Sequence, residues 1–140
     1  MPDTTYDMFP STGFTVTHFL VSADIKKSVD FYARILGGTV VMDGENGKPN
    51  VVQLANTWII INVGGGPTDD KPAVYLAPPK DGEAVSSFLN LRVANIAECY
   101  DRWKGLGAEF LTEPKVHDAE TRCYMRDPDG HLIEVGEAKQ

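Results

Sequence analysis

The stretch Thr15–Gly38, TVTHFLVSADIKKSVDFYARILGG, decides the fold, because its hydrophobic period changes partway along. An extended, β-branched run reaches a turn, and helical spacing then takes over. Ile25, Val29, Tyr32 and Leu36 recur at steps of four, three and four, which predicts one helical face. Asp24 stands where a side-chain oxygen caps the first turn, and Gly37 with Gly38 can end the helix in a left-handed turn. The segment reads as strand, helix, stop.

The same order returns in Ser86–Ala108, SSFLNLRVANIAECYDRWKGLGA. Phe88 to Val93 predicts a strand, and Ile96, Tyr100 and Trp103 predict the buried face of a helix. Asn95 caps that helix, Glu98 completes a capping-box spacing, and Gly105 and Gly107 end it. Asp24-Ile25 aligns with Asn95-Ile96, so the chain repeats with a period of about half its length. Short strands follow each helix: Thr39 to Met42, Asn50 to Leu54 and Thr57 to Val63, then Glu109 to Leu111, Arg122 to Met125 and His131 to Val135. Between the halves, Gly64 to Pro72 is too rich in Gly and Pro for regular structure.

The expected organisation is an N-terminal extension at 1–14, a first βαβββ module at 15–63, a linker at 64–85, a second βαβββ module at 86–137 and a tail at 138–140. This is an α+β architecture. Each sheet has one face covered by its helix, and the uncovered faces are expected to curve around a shared cleft, the default place for a ligand.

A chain of 140 residues suits one compact unit or two half-sized modules. Its net charge of -7 comes without any basic run, so nucleic acid and anionic membranes are repelled rather than attracted. The opening MPDTTYDMFPSTGF lacks the features of a secretion signal, and the longest apolar run, Trp58 to Val63, is too short to span a bilayer. A cytoplasmic location is therefore expected. Cys99 and Cys123 form no CxxC and lie near no histidine at zinc-site spacing, so both read as small core residues.

Ser22-Ala23-Asp24 leading to Phe31-Tyr32 and Ile35-Leu36-Gly37, followed by Arg126-Asp127-Pro128-Asp129-Gly130-His131-Leu132-Ile133-Glu134-Val135, resembles the vicinal oxygen chelate superfamily. That group includes glyoxalase I, extradiol dioxygenases, fosfomycin-resistance enzymes and bleomycin-resistance proteins. The resemblance runs from about Thr15 to Glu137 and implies the paired-module fold, while leaving the reaction open because the fold hosts many. It also implies that metal-using members carry one ligand on the first and one on the last strand of each module. Glu134 fits the last of these positions, and Asn62 falls where the first module would have its carboxylate. The expected histidines map to Thr17 and Phe88, with His18 one place away. An offset of one residue aims the His18 imidazole toward the helix side unless a bulge re-aims it. No cofactor is expected from so depleted a set; the alternative is a divalent zinc, nickel, manganese or iron held by His18 and Glu134.

Strand alternation supplies a list of its own. Leu89, Leu91 and Val93 make one apolar face, which turns Phe88, Asn90 and Arg92 toward the cleft. Trp58, Ile60 and Asn62 share a face, as do Leu132 and Glu134. The substrate-binding candidates are His18, Trp58, Asn62, Phe88, Asn90, Arg92, Leu132 and Glu134. Each has a plainer role: Arg92 and Glu134 as an inward ion pair, Asn62 and Asn90 as partners of nearby backbone, Trp58 as a wall, His18 as a hydrogen-bonded core residue. His117 and His131 read as surface, Asp127–Gly130 as a turn, and Gly64–Gly66 opens no phosphate-binding helix.

The expected function is binding or sequestration of a metabolite or antibiotic without metal, or metal-free acid-base chemistry with Glu134 as the catalytic group. The alternative is a metal-dependent lyase or transferase, glyoxalase-like or fosfomycin-resistance-like, and the question of catalysis stays open. A small-molecule partner and a homodimer are expected.

Overall fold

Two helices, each capped by an Asp or Asn side chain, organise two compact units, Met1–Gly64 and Gly65–Gln140. The computed structural model describes residues 7–80 and 84–139, so the expected extension, linker and tail lie partly outside the described residues.

The first unit runs β1 (His18–Val21), α1 (Ile25–Asp30), β2 (Thr39–Asp43), β3 (Asn50–Leu54) and β4 (Thr57–Asn62). Its sheet has the order β1-β4-β3-β2, with β1 parallel to β4 and the other neighbours antiparallel. The second unit runs β5 (Leu89–Arg92), α2 (Ile96–Gly105), β6 (Glu109–Phe110), β7 (Lys115–Val116), β8 (Glu120–Arg126) and β9 (Leu132–Ala138). Its order, β5-β9-β8-β6, repeats the first, and β5 is again parallel to β9. The repeat read from the chain is thus a repeat of topology, and the class is α+β. The two-residue β7, paired with β8, is an addition that the sequence pattern did not announce. Part of the expected linker also carries isolated bridges, Gly65 with Leu76 and Thr68 with Lys71. No helix among the described residues is long and apolar enough to cross a membrane.

Both helix starts follow from their side chains. Asp24 Oδ1 accepts from the Lys27 N–H at 3.2 Å, and Asn95 Oδ1 accepts from the Glu98 N–H at 3.1 Å, each satisfying a donor that the helix leaves unpaired. In the second unit, Glu137 Oε1 on β9 accepts from the Ile96 N–H at 2.8 Å and ties the helix start to the sheet.

The first helix departs from expectation. It is α-helical only through Asp30, and Phe31–Ile35 continue as a wide π turn in which the Leu36 N–H reaches the Phe31 carbonyl at 3.0 Å. From Asp24 to Gly37 the chain advances one residue more than from Asn95 to Gly107, and the wide turn absorbs the surplus. The buried set is Ser28, Phe31, Tyr32, Ile35 and Leu36. Ile25 and Val29, expected in the core, are only half-buried: a fully buried Ser28 takes the central place and turns them to the flank of the helix.

Directly paired strand residues share a face, so the registers separate core from site. Val52, Ile59 and Ile61 are fully buried on the face of the first sheet that packs under Tyr32 and its neighbours. Gly38 lies so close to β3 that an added Cβ would come 2.6 Å from the Val52 side chain and 2.8 Å from the Gln53 carbonyl. In the second unit Cys123, Met125, Ile133 and Val135 form the corresponding buried layer, with Ile96 and Trp103 buried on α2. Tyr100, expected beside them, is half-buried and packs on Phe110 with ring centroids 4.7 Å apart. Burial pushes the Cys123 thiol up to about 11, and Cys99 is also raised though only half-buried; both are free thiols with little thiolate character.

Candidate functional site

On the second sheet Glu137 marks the helix side, because it touches the start of α2. Alternation then turns Glu134 to the opposite face, together with Asn90 and Tyr124, its register partners on β5 and β9's other neighbour β8. Three polar side chains therefore stand in a row across three adjacent strands. Glu134 is buried, with 10% of its side chain exposed, and the Tyr124 hydroxyl donates to its Oε2 at 2.9 Å. That hydrogen bond to a carboxylate favours the neutral phenol and raises the Tyr124 pKa above the ordinary tyrosine value.

Arg92 occupies the next row. Its Nη2 meets Glu120 Oε2 at 2.9 Å and its Nη1 lies 3.7 Å from Glu134 Oε1. Arg122 Nη1 approaches the other Glu120 oxygen at 3.6 Å. The Arg92 hydrogen bond holds the Glu120 carboxyl below its ordinary pKa. To reach Glu120, Arg92 crosses β9 at Gly136, its own register partner, where no side chain stands in the way. Phe88 closes the group: its ring meets Tyr124 edge-on, centroids 6.0 Å apart, and 41% of the residue is exposed.

The structure therefore brings Phe88, Asn90, Arg92 and Glu134 onto one face of the second sheet. Leu132, half-buried, shares the parity of Glu134 and pairs with Arg126. Glu120, Arg122 and Tyr124 complete this group and are absent from the sequence-derived list. The alternation of Arg122, Tyr124 and Arg126 with Cys123 and Met125 was the signal that could have found two of them.

The first-unit candidates fall differently. Trp58 is buried beside Gln53 and lines a hollow of about 330 Å³ with Phe9, Met42 and Gln53. Asn62 turns its Oδ1 to the Val63 N–H at 2.8 Å, in keeping with the plainer reading of it. His18 pairs with Ile59 in a register that runs without a bulge, so it takes the helix-side parity. His117 is exposed and His131 half-buried, its N–H held at 2.9 Å by Asp127 Oδ1.

A sequence model of the Glyoxalase/Bleomycin resistance protein/Dioxygenase superfamily matches residues 15–135, nearly the whole chain. The chain belongs to this superfamily. Among curated relatives it is similar to lactoylglutathione lyase of Salmonella typhimurium, 26% identical over 123 residues that cover 83% of this chain and 86% of that protein. Among solved structures it resembles TnmS3, an antibiotic binding protein from Streptomyces sp. CB03234, with TM-score 0.65, 18% identity and coverage of 94% and 100% of the two chains. It also resembles TioX from Micromonospora sp. ML1, with TM-score 0.69, 17% identity and coverage of 91% and 100%.

The strand registers correct one position in the superfamily's ligand pattern. Phe19 and Asn90 each lie five residues before their helix cap, and they pair with Ile60 and Glu134 respectively. The first-module counterpart of Glu134 is therefore Ile60, and Asn62 corresponds to Gly136. The four positions hold Thr17, Ile60, Phe88 and Glu134. Among the described residues, no group of three or more His, Cys, Asp and Glu side chains gathers at metal-binding distance.

Proposed function

We propose that this chain binds and sequesters a small organic molecule, a metabolite or antibiotic, without a metal ion. The observation that carries this reading is the engagement of Glu134: its carboxylate accepts from Tyr124 and pairs with Arg92. A hydroxyl, an alkyl group and a phenyl ring at the other three positions do not fit a divalent ion, for which sites with three or more charged or imidazole donors are the rule. The likeness to an antibiotic binding protein supports the same reading at the level of the fold. Where chemistry accompanies binding, Glu134 is the group to move a proton, with Arg92 and Tyr124 positioning it.

Native mass spectrometry of freshly purified protein tests the reading. The expected result is an organic adduct or bare chain, with metal below stoichiometry. Stoichiometric zinc, nickel, manganese or iron, lost in both Glu134→Ala and His18→Ala, overturns it.

The second reading, a metal-dependent lyase or transferase, draws on the likeness to lactoylglutathione lyase and would need His18 and Glu134 as ligands. The same measurement decides between them. A homodimer is part of the proposal, supported by exposed apolar side chains such as Phe14 and Val16; light scattering that finds only monomer at working concentration counts against it.

A further inference from the structure

In the row Asn90–Glu134–Tyr124, the Glu134 carboxylate has an oxygen left over. Tyr124 donates to Glu134 Oε2, while Oε1 has the Arg92 guanidinium at 3.7 Å, an ion-pair separation beyond hydrogen-bond reach. Glu134, whose side chain is only 10% exposed, thus keeps acceptor capacity at Oε1 on a face that also offers an exposed amide, Asn90, and a part-exposed ring, Phe88.

We propose that Glu134 Oε1 is the anchor for a neutral, planar aromatic ligand that presents an O–H or N–H donor at its edge. This rests on the sequestration reading and names its ligand class. The charges around the site decide neutrality. On this face Arg92, Arg122 and Arg126 are matched by Glu109, Glu120 and Glu134, so neither an anionic nor a cationic ligand meets a surplus of opposite charge. The ligand's flat body lies along the Phe88 ring, and the Asn90 amide, directly across from Glu134, accepts or donates a second hydrogen bond. A ligand that covers Oε1 without a donor takes it from water and leaves it unsatisfied, which makes the donor a requirement rather than a bonus.

Three probes of matched shape test this on the full chain: 1-naphthol, its methyl ether and 1-naphthoate, each titrated with fluorescence and NMR detection. The expected result is binding of 1-naphthol at least about tenfold tighter than the ether, as a hydrogen bond to a charged group supplies. Glu134→Gln, checked for folding by circular dichroism, should shrink that preference; if the variant does not fold, the naphthol-to-ether ratio on the unaltered chain decides alone. Equal binding of naphthol and ether overturns the donor requirement and leaves sequestration standing. Tighter binding of naphthoate overturns it in favour of an Arg92-centred anion site, and no binding of any probe overturns it outright. Stoichiometric metal in the native mass spectrum is the separate failure, that of the sequestration reading itself.

Discussion

The guanidinium of Arg92 fills the space over Gly136 that a side chain there would need: an added Cβ comes 2.9 Å from Cζ and closer still to Nη1. Glycine at this position is therefore set by close approach, and the bridge from β5 to Glu120 depends on it. Gly136→Ala is expected to displace the flexible end of Arg92 and to cost roughly 0.2–1 kcal/mol, the scale of a partly exposed ion pair. Urea denaturation of Gly136→Ala, Arg92→Ala and the double variant checks the cause. With Arg92 already shortened, the alanine should cost less, so the double variant should be more stable than the two single effects summed.

Tyr124 and Glu134 give a prediction in alkali. The Glu134 hydrogen bond raises the Tyr124 pKa above its ordinary 10.0, so the folded chain holds the phenolic proton more tightly than the unfolded chain. The stability from this pair is fully present below about pH 10 and is lost as pH rises through the folded-state value. Tyrosinate absorbance should show a late-titrating tyrosine that returns toward the ordinary range in Glu134→Gln. An unchanged titration in that variant would show that the hydrogen bond is not the cause.

Glu120 gives the opposite sign in acid. Its pKa lies below 4.5 because of Arg92, so its contribution is present above the ordinary glutamate range and disappears as pH falls through the lowered value. Arg92→Ala should therefore flatten the acid limb of stability against pH between about pH 5 and pH 3, a window set by ordinary glutamate. Matching acid limbs in the two proteins would count against the pairing.

Much of this architecture was legible from local chemistry. Asp24 and Asn95 announced both helix starts, and the strand-helix-stop order around them announced a repeated unit. The wide turn at Phe31–Ile35 was not legible, because its residues carry the same apolar spacing as an ordinary helix and the surplus residue shows only against the second copy. Glu120 was hidden for another reason. Its link to Arg92 spans two strand spacings and requires a bare glycine between them, a relation that no window of neighbouring residues contains.

The two caps on α2 offer a stability test. Asn95→Ala removes the acceptor of the Glu98 N–H and should cost about 1 kcal/mol. Glu137→Ala removes the acceptor of the Ile96 N–H and should add a loss of about 0.5–2 kcal/mol. Thermal unfolding of the single variants and the pair measures both. A pair no worse than either single change would mean that the two caps act as one unit, the loss of either already forfeiting both.

The extra residue that α1 takes up in its wide turn has a consequence for divergence among proteins of this architecture. A length change there shifts no strand register and moves neither the capping aspartate nor the closing glycine, so the chain can grow or shrink at that point while both sheets stay as they are. Indels between relatives should therefore cluster in this helix before they enter β3 or β4.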